Sequence, residues 1–390
     1  MAQFPQYNNR VFDDRATAFA PQIKQSFARS SPRDRVYIDT GVKVMENGDA
    51  HFGYYAPNAK AVSVVFGIDE SKNLTMEKDE NGIWRAILPF DPAFCGPKGF
   101  HFDVDGSPTA SAFAPQYYSA THATNYVDIP DPNAPFILMQ NVPHGTVSIE
   151  FYWATQLNSW QRCFVYTPPM YQKSGEDYPV LYLQHGAWEN ETSWIYNGRA
   201  AHIMDNLIAE GKATPYIIVM NDGMMHASDS QPGMGGDDFI NTLLSDCIPF
   251  IEDRYRVKTD KWSRAVAGFS MGSMQACKVA LSNPDKFGYV GLFSGFMRTL
   301  GGANDSAFEE NPHLDILADK DRFLAEIKVF YRAIGSRDSY TPVFYRDDEL
   351  LAEHGYDYPN IHRHVFENYY HDWAVMRLML HEFAQLIFKP

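Results

Sequence analysis

The sequence predicts two folded domains in series, an all-β sandwich followed by an α/β domain with a mostly parallel sheet. Short alternating apolar and polar runs fill residues 36–128, and a stretch rich in Pro, Asn and Asp follows. From Gly145 onward, apolar strands alternate with helical periodicity. The chain has 390 residues, a comfortable length for two domains. Its 45% hydrophobic and 21% charged residues exclude disorder over most of that length. No run approaches the ~20 apolar residues that cross a bilayer, so no membrane partner is expected.

The first domain is read from short strands at Val36–Thr40, Ala50–Tyr55, Ala61–Gly67, Leu74–Lys78, Trp84–Pro89 and Gly99–Val104, separated by turns such as Glu80-Asn81-Gly82. Close spacing of such strands predicts a small immunoglobulin-like sandwich over 36–128. Residues 1–35 read as a polar arm with one short helix near Pro21–Ala28. Residues 129–143, densest in Pro and Asp at Asp128–Asn133, read as a linker.

In the second domain, 144–390, strands are expected at Thr146–Trp153 and Trp160–Thr167, then at Tyr178–Gln184, Tyr216–Asn221, Arg264–Gly268, Tyr289–Phe293, Val329–Ile334 and Arg363–Glu367. Helical periods lie near Arg199–Glu210, Asp238–Arg254, Met271–Leu281 and Trp373–Phe388. Buried strands alternating with helices imply a mostly parallel sheet with helices on both faces.

Gly268-Phe269-Ser270-Met271-Gly272 carries the chemistry. The pattern is short, and its context gives it meaning. A buried strand run precedes it and a helix follows, which is the strand, sharp turn and helix of a nucleophile elbow in an α/β-hydrolase fold. A serine hydroxyl needs a base, and chain order in this fold is Ser, acid, His. His371 follows the last strand, and Asp338 follows the strand before it through Gly335-Ser336-Arg337. Asp372 competes as the acid, but a sequence neighbour can rarely bend back to the ring. The oxyanion donors are expected to be the Met271 N–H and, from the loop His185-Gly186-Ala187-Trp188, the Ala187 N–H. Aromatic residues near these loops, Trp188, Trp194, Tyr196, Tyr340, Tyr369 and Tyr370, are candidates for substrate contact. Met224–Gly236 reads as a pocket edge or an ordinary loop. His362 and His364 read as two residues on one strand face. No metal and no organic cofactor is expected.

Cys95, Cys163, Cys247 and Cys277 have neither CxxC nor zinc-like spacing, so free thiols are expected. The net charge of −15 argues against a nucleic-acid partner. The N-terminus shows no basic segment leading into an apolar one. A cytoplasmic location is expected if Met1 is native, and a secreted or periplasmic one if a leader was trimmed. Oligomeric state is not legible.

Leu183-Gln184-His185-Gly186, the elbow, Gly335-Ser336-Arg337-Asp338 and His371-Asp372-Trp373 together resemble carbohydrate esterase family 1, the feruloyl and acetylxylan esterases, over roughly Gly145–Phe388. Ser273 stands where that family often has a second glycine after the elbow. Phe52–Pro57, Asn81–Trp84 and Phe100–Gly106 resemble a carbohydrate-binding module of family 48. The resemblance implies a serine esterase that releases ferulic or related hydroxycinnamic acids, with feruloylated xylan or xylo-oligosaccharide as its partner. Acetylxylan esterase, enterochelin-type siderophore esterase and a non-catalytic glycan-binding protein remain alternatives. For the module, strand alternation puts Tyr54 and Tyr55 on opposite faces, and Phe100 and Phe102 are expected in the core.

Overall fold

A computed structural model describes residues 40–67, 69–118, 122–226, 237–297, 311–356 and 361–389. The expected arm, its helix and most of the strand at Val36–Thr40 lie outside these residues. The chain divides into two compact units, Met1–Pro135 and Phe136–Pro390.

The first unit is an antiparallel sandwich. One sheet orders β1 (Gly41–Val44), β2 (Ala50–Tyr55), β6 (Ile83–Leu88) and β5 (Glu77–Lys78). The other orders β4 (Leu74–Thr75), β3 (Val62–Phe66), β7 (Gly96–Val104), β10 (Ala123–Ile129) and β9 (Gln116–Tyr118), with β8 (Ser107–Thr109) on β7. Phe52, Phe66, Phe94 and Phe100 meet edge to face between the sheets. Phe102 and Trp84 are buried with them, so the aromatic residues at 84, 100 and 102 build the core. Tyr54 packs on Phe102, while Tyr55 faces outward, as alternation along β2 requires.

Two expectations need correction. The strand expected at Leu74–Lys78 is two short strands, because Met76 turns into the core and the chain passes from β3 in one sheet to β6 in the other. Residues 123–129 belong to a strand, although the surrounding sequence is rich in turn residues. Val127 and Ile129 join the sandwich core, Tyr126 is buried against Tyr117 on the other face, and buried Asn125 is hydrogen-bonded to the Ser111 and Ala114 carbonyls.

The second unit is an α/β-hydrolase fold around an eight-stranded sheet. Its strands are β11 (Thr146–Ala154), β12 (Ser159–Thr167), β13 (Val180–Gln184), β14 (Ile217–Asn221), β15 (Arg264–Phe269), β16 (Tyr289–Phe293), β17 (Val329–Gly335) and β18 (Ile361–Phe366). The order is β11-β12-β14-β13-β15-β16-β17-β18, with β11 and β12 antiparallel and the rest parallel. Strands β13 to β17 are buried at every position, which is why they read as continuous apolar runs. Edge strand β11 alternates instead.

The helices are α1 (Tyr171–Ser174), α2 (Ser193–Tyr196), α3 (Ala200–Ala209), α4 (Asp237–Thr242), α5 (Ile248–Arg254), α6 (Met271–Ser282), α7 (Lys320–Glu326), α8 (Thr341–Glu353) and α9 (Trp373–Ala384). On one face of the sheet, α4, α5 and α6 bury Phe239, Ile251, Cys277 and Ala280 against Val219, Val266 and Val290. On the other, Phe383 of α9 meets Phe293 and Tyr331. The helix expected over Asp238–Arg254 is interrupted by one π-helical turn, Leu243–Cys247. Pro249 in the first turn of α5 has no N–H to give the carbonyl four residues back, and the widened turn accommodates it. All four cysteines are free and buried. Among the described residues no helix is long and apolar enough to cross a membrane.

Helix α8, which follows Asp338, is pinned to β17 by a buried cation. Arg332 is fully buried and meets Asp348 at 2.6 Å and Asp347 at 3.7 Å. Its guanidinium lies 4.3 Å from the centroid of the Phe344 ring and donates to the Phe344 carbonyl. Arg332→Ala leaves two carboxylates short of their cation and is expected to cost about 3–5 kcal/mol in denaturant unfolding. Arg363→Ala, which removes the more exposed partner of Asp348, is expected to cost about 1 kcal/mol or less.

Candidate active site

Ser270 joins β15 to α6 with φ 54° and ψ −114°, in the left-handed region that a side chain rarely adopts. Close approach enforces this turn. A Cβ on Gly268 would lie 2.4 Å from the Gly272 carbonyl carbon, and one on Gly272 would lie 2.5 Å from the His185 carbonyl oxygen. The Ser270 N–H donates to the Phe293 carbonyl at 3.0 Å, tying the turn to β16.

Ser273 has a role that its sequence did not reveal. Its fully buried hydroxyl donates to the Ser270 carbonyl at 2.6 Å and accepts from the Phe296 N–H at 3.1 Å. A glycine here would leave both groups without that partner.

The loops after β17 and β18 are laced together. Ser336 N–H donates to Phe366 O at 2.8 Å, and Arg337 N–H to Tyr369 O at 2.9 Å. This brings Asp338 and His371 into register. His371 Nδ1 lies 2.7 Å from Asp338 Oδ2, and its Nε2 lies 2.9 Å from Ser270 Oγ. A carboxylate can only accept, so the partners assign the ring proton to Nδ1 and leave Nε2 to accept from the serine. Asp338 is buried, and its Oδ1 accepts the Tyr340 N–H at 2.9 Å. Phe269 and Tyr340 flank the imidazole, each with centroids 5.0 Å away. Asp372 serves elsewhere: it caps α9 by accepting the Ala374 N–H at 3.0 Å.

The loop after β13 reaches the same place. His185 is buried; its Nδ1 donates to the Gly186 carbonyl and its Nε2 accepts the Gly223 N–H at 2.8 Å, with Asp222 Oδ1 3.4 Å away, so the ring holds this loop to the one after β14. Ala187, Met224 and Val343 pack around buried Met271, Met274 and Phe296, forming an apolar cluster that begins at the residue after Ser270. Glu189 reaches back under the loop to the Trp373 indole at 2.7 Å and the Gly186 N–H at 3.3 Å.

The aromatic candidates divide. Trp188 is 64% exposed on the loop after β13. Tyr340 packs on Phe296 and His371 at the elbow. Tyr370 is exposed, with its hydroxyl accepting from Arg337. Trp194 is not a surface contact: it is 1% exposed, donates to the Gln184 carbonyl and packs between Phe293 and Trp373. Tyr196 is half-buried on α2, where burial raises its phenol pKa. Residues 227–236 of the loop expected at Met224–Gly236 lie outside the described residues. His364 stacks on Phe366 and bonds Glu382. Among the described residues no three His, Cys, Asp or Glu side chains gather as a metal site.

Ser273→Ala is expected to destabilise the fold by about 1–3 kcal/mol, because it strands the buried Phe296 N–H. Chemical denaturation reads this directly.

Residues 154–353, about half the chain, match the Esterase family model, described as "Putative esterase". An endo-1,4-beta-xylanase/feruloyl esterase of Xylanibacter ruminicola is 37% identical over 263 residues, which are 65% of this chain and 36% of that protein. An esterase of Mycobacterium tuberculosis is 34% identical over 134 residues, 34% of this chain and 28% of that one. The matches therefore span about a third of these relatives' lengths. Among solved structures, a CE1 ferulic acid esterase from Anaeromyces mucronatus in complex with ferulic acid is 27% identical, with a TM-score of 0.56 over 65% of this chain and 95% of that one. The enterobactin esterase of Shigella flexneri has a TM-score of 0.62 over 91% of this chain and 98% of that one at 15% identity, a likeness of fold alone. The chain belongs to the Esterase family, and its second unit has the α/β-hydrolase fold.

Proposed function

We propose that the chain is a serine esterase acting on hydroxycinnamoyl esters of plant cell-wall arabinoxylan or its oligosaccharides, with Ser270, His371 and Asp338 as its catalytic triad. The observation that carries this reading is the pair of hydrogen bonds, 2.9 Å and 2.7 Å, running from Ser270 through His371 to Asp338. Ser270 Oγ attacks the ester carbonyl while His371 Nε2 takes its proton. Asp338 holds the tautomer and stabilises the imidazolium. The developing oxyanion is received by the Met271 and Ala187 N–H groups, the first at the N-terminus of α6. The imidazolium returns the proton to the departing sugar oxygen, and water then releases the acid by the same route.

The acyl preference is supported by the cluster beside Ser270. Ala187, Met224, Val343 and the Tyr340 ring, seated on buried Met271, Met274 and Phe296, offer an apolar lining suited to a flat aromatic group. An acetyl group would bury little of it. The names of the similar proteins, a xylanase/feruloyl esterase and a ferulic acid esterase, support the same substrate class. For the first unit, a carbohydrate-binding role has less support. Trp84, Phe100 and Phe102 are core residues, and of Tyr54 and Tyr55 it is Tyr55 that is exposed.

Ser270→Ala and His371→Ala are each expected to lower kcat by about 10⁴-fold or more with the fold intact, and Asp338→Asn by less. Wild-type turnover by Ser270→Ala would remove the triad. On a panel of methyl ferulate, p-nitrophenyl acetate and a triscatecholate lactone, methyl ferulate is expected to show the highest kcat/KM, because its ring buries more apolar area. A preference for acetyl esters, natural acetylated xylan included, would move the assignment to acetylxylan esterase.

A further inference from the structure

Glu189 is a carboxylate that the triad does not use, yet it touches both halves of the site. Its Oε1 accepts the Trp373 indole N–H at 2.7 Å, and its Oε2 accepts the Gly186 N–H at 3.3 Å. Gly186 precedes Ala187 on the loop after β13, and Trp373 stands two residues after His371 at the start of α9. The Trp373 ring also meets Phe269, the residue before Ser270, which in turn meets His371. The loop that carries the proposed oxyanion donor and the turn that carries the base thus share one anchor. Both partners can only donate, so the ionised carboxylate is the form that satisfies them together.

We propose that Glu189 is a positioning residue that fixes the oxyanion loop against the His371 turn and places a negative charge beside the base; this rests on the triad reading above. The charge works in the direction the reaction needs, because it favours the imidazolium that forms as Ser270 attacks. The titratable groups facing Glu189 are His185 at the end of β13 and His371 before α9, with Asp222 behind the first and Asp338 behind the second.

Holding this charge is costly to the fold. Burial is the largest influence on the Glu189 carboxyl and raises its pKa, while His185, Trp373, Gly186 and His371 pull the other way. A raised native pKa means that the charged form is less favoured in the folded chain than in the unfolded one. The contribution to stability is full below the unfolded pKa and is lost as pH rises through the native one. Near neutral pH the burial of an ionised Glu189 therefore opposes folding; an amide removes that charge but offers one acceptor oxygen to the two donors.

The test is Glu189→Gln, Trp373→Phe and the double variant in the full chain, measured on methyl ferulate across pH together with melting temperature. Glu189→Gln is expected to lower kcat by about 10–100-fold with KM changed by less than about threefold, and to move the acid limb of the kcat/KM profile to lower pH. Trp373→Phe, which keeps a ring but loses the donor, is expected to lower kcat by about 3–30-fold. The double variant should lose no more than about twofold beyond Glu189→Gln, because the two residues act as one unit. Wild-type kcat in Glu189→Gln overturns the proposal. So does a loss of activity with an unmoved acid limb, or full additivity in the double variant. Ser270→Ala measured alongside separates the two claims: if it is inactive while Glu189→Gln is unaffected, the triad stands and the positioning role falls.

Discussion

A serine forced to φ 54° holds the second unit's chemistry together. Such a backbone costs on the order of 1–3 kcal/mol and persists only where its surroundings leave no alternative. Here Gly268 and Gly272 approach too closely to carry side chains, the Phe293 carbonyl takes the Ser270 N–H, and Ser273 takes its carbonyl. The strain lifts Oγ clear of the sheet and aims it at His371. It also places the Met271 N–H at the free end of a helix, where an anion is favoured. The parallel strands on either side are buried throughout, which gives the turn a rigid floor.

Around that turn, four loops are fixed by pairs of contacts rather than by one. The loops that carry Asp338 and His371 are joined through Ser336, Arg337, Phe366 and Tyr369. The loops after β13 and β14 are joined through the buried His185 ring. Glu189 and Trp373 close the circle between the first of these and the base. Arg332 neutralises Asp347 and Asp348 on α8, and Asp338 is the carboxylate bonded to His371.

Periodicity and turn chemistry made most of the second unit legible. Its strands are uniformly apolar and its helices follow at regular intervals, so the elements stood out, and motif order then singled out Ser270, Asp338 and His371 for one site. The residues that support them were not legible, for definite reasons. Ser273 looks like a minor departure from glycine until its hydroxyl is seen to bond two backbone groups. Glu189 lies in a polar loop, where a surface carboxylate is the ordinary reading, and its partner is 184 positions away. Trp194 misled because aromatic residues near a site and aromatic residues under it look alike in one dimension. In the first unit, the strand at 123–129 was hidden by the proline and aspartate that follow it, and Met76 concealed a change of sheet because one apolar residue does not show which sheet its neighbours join.

The account depends most on Ser270 being an activated nucleophile in the resting fold. An aryl fluorophosphonate reports this directly, since it forms a stable covalent bond only with a serine whose base is in place. Intact-mass measurement followed by peptide mapping is expected to find one adduct per chain, on the peptide containing Ser270, and none in His371→Ala. An adduct on another residue, or an unmodified wild-type chain under conditions that label a known serine esterase, would contradict it.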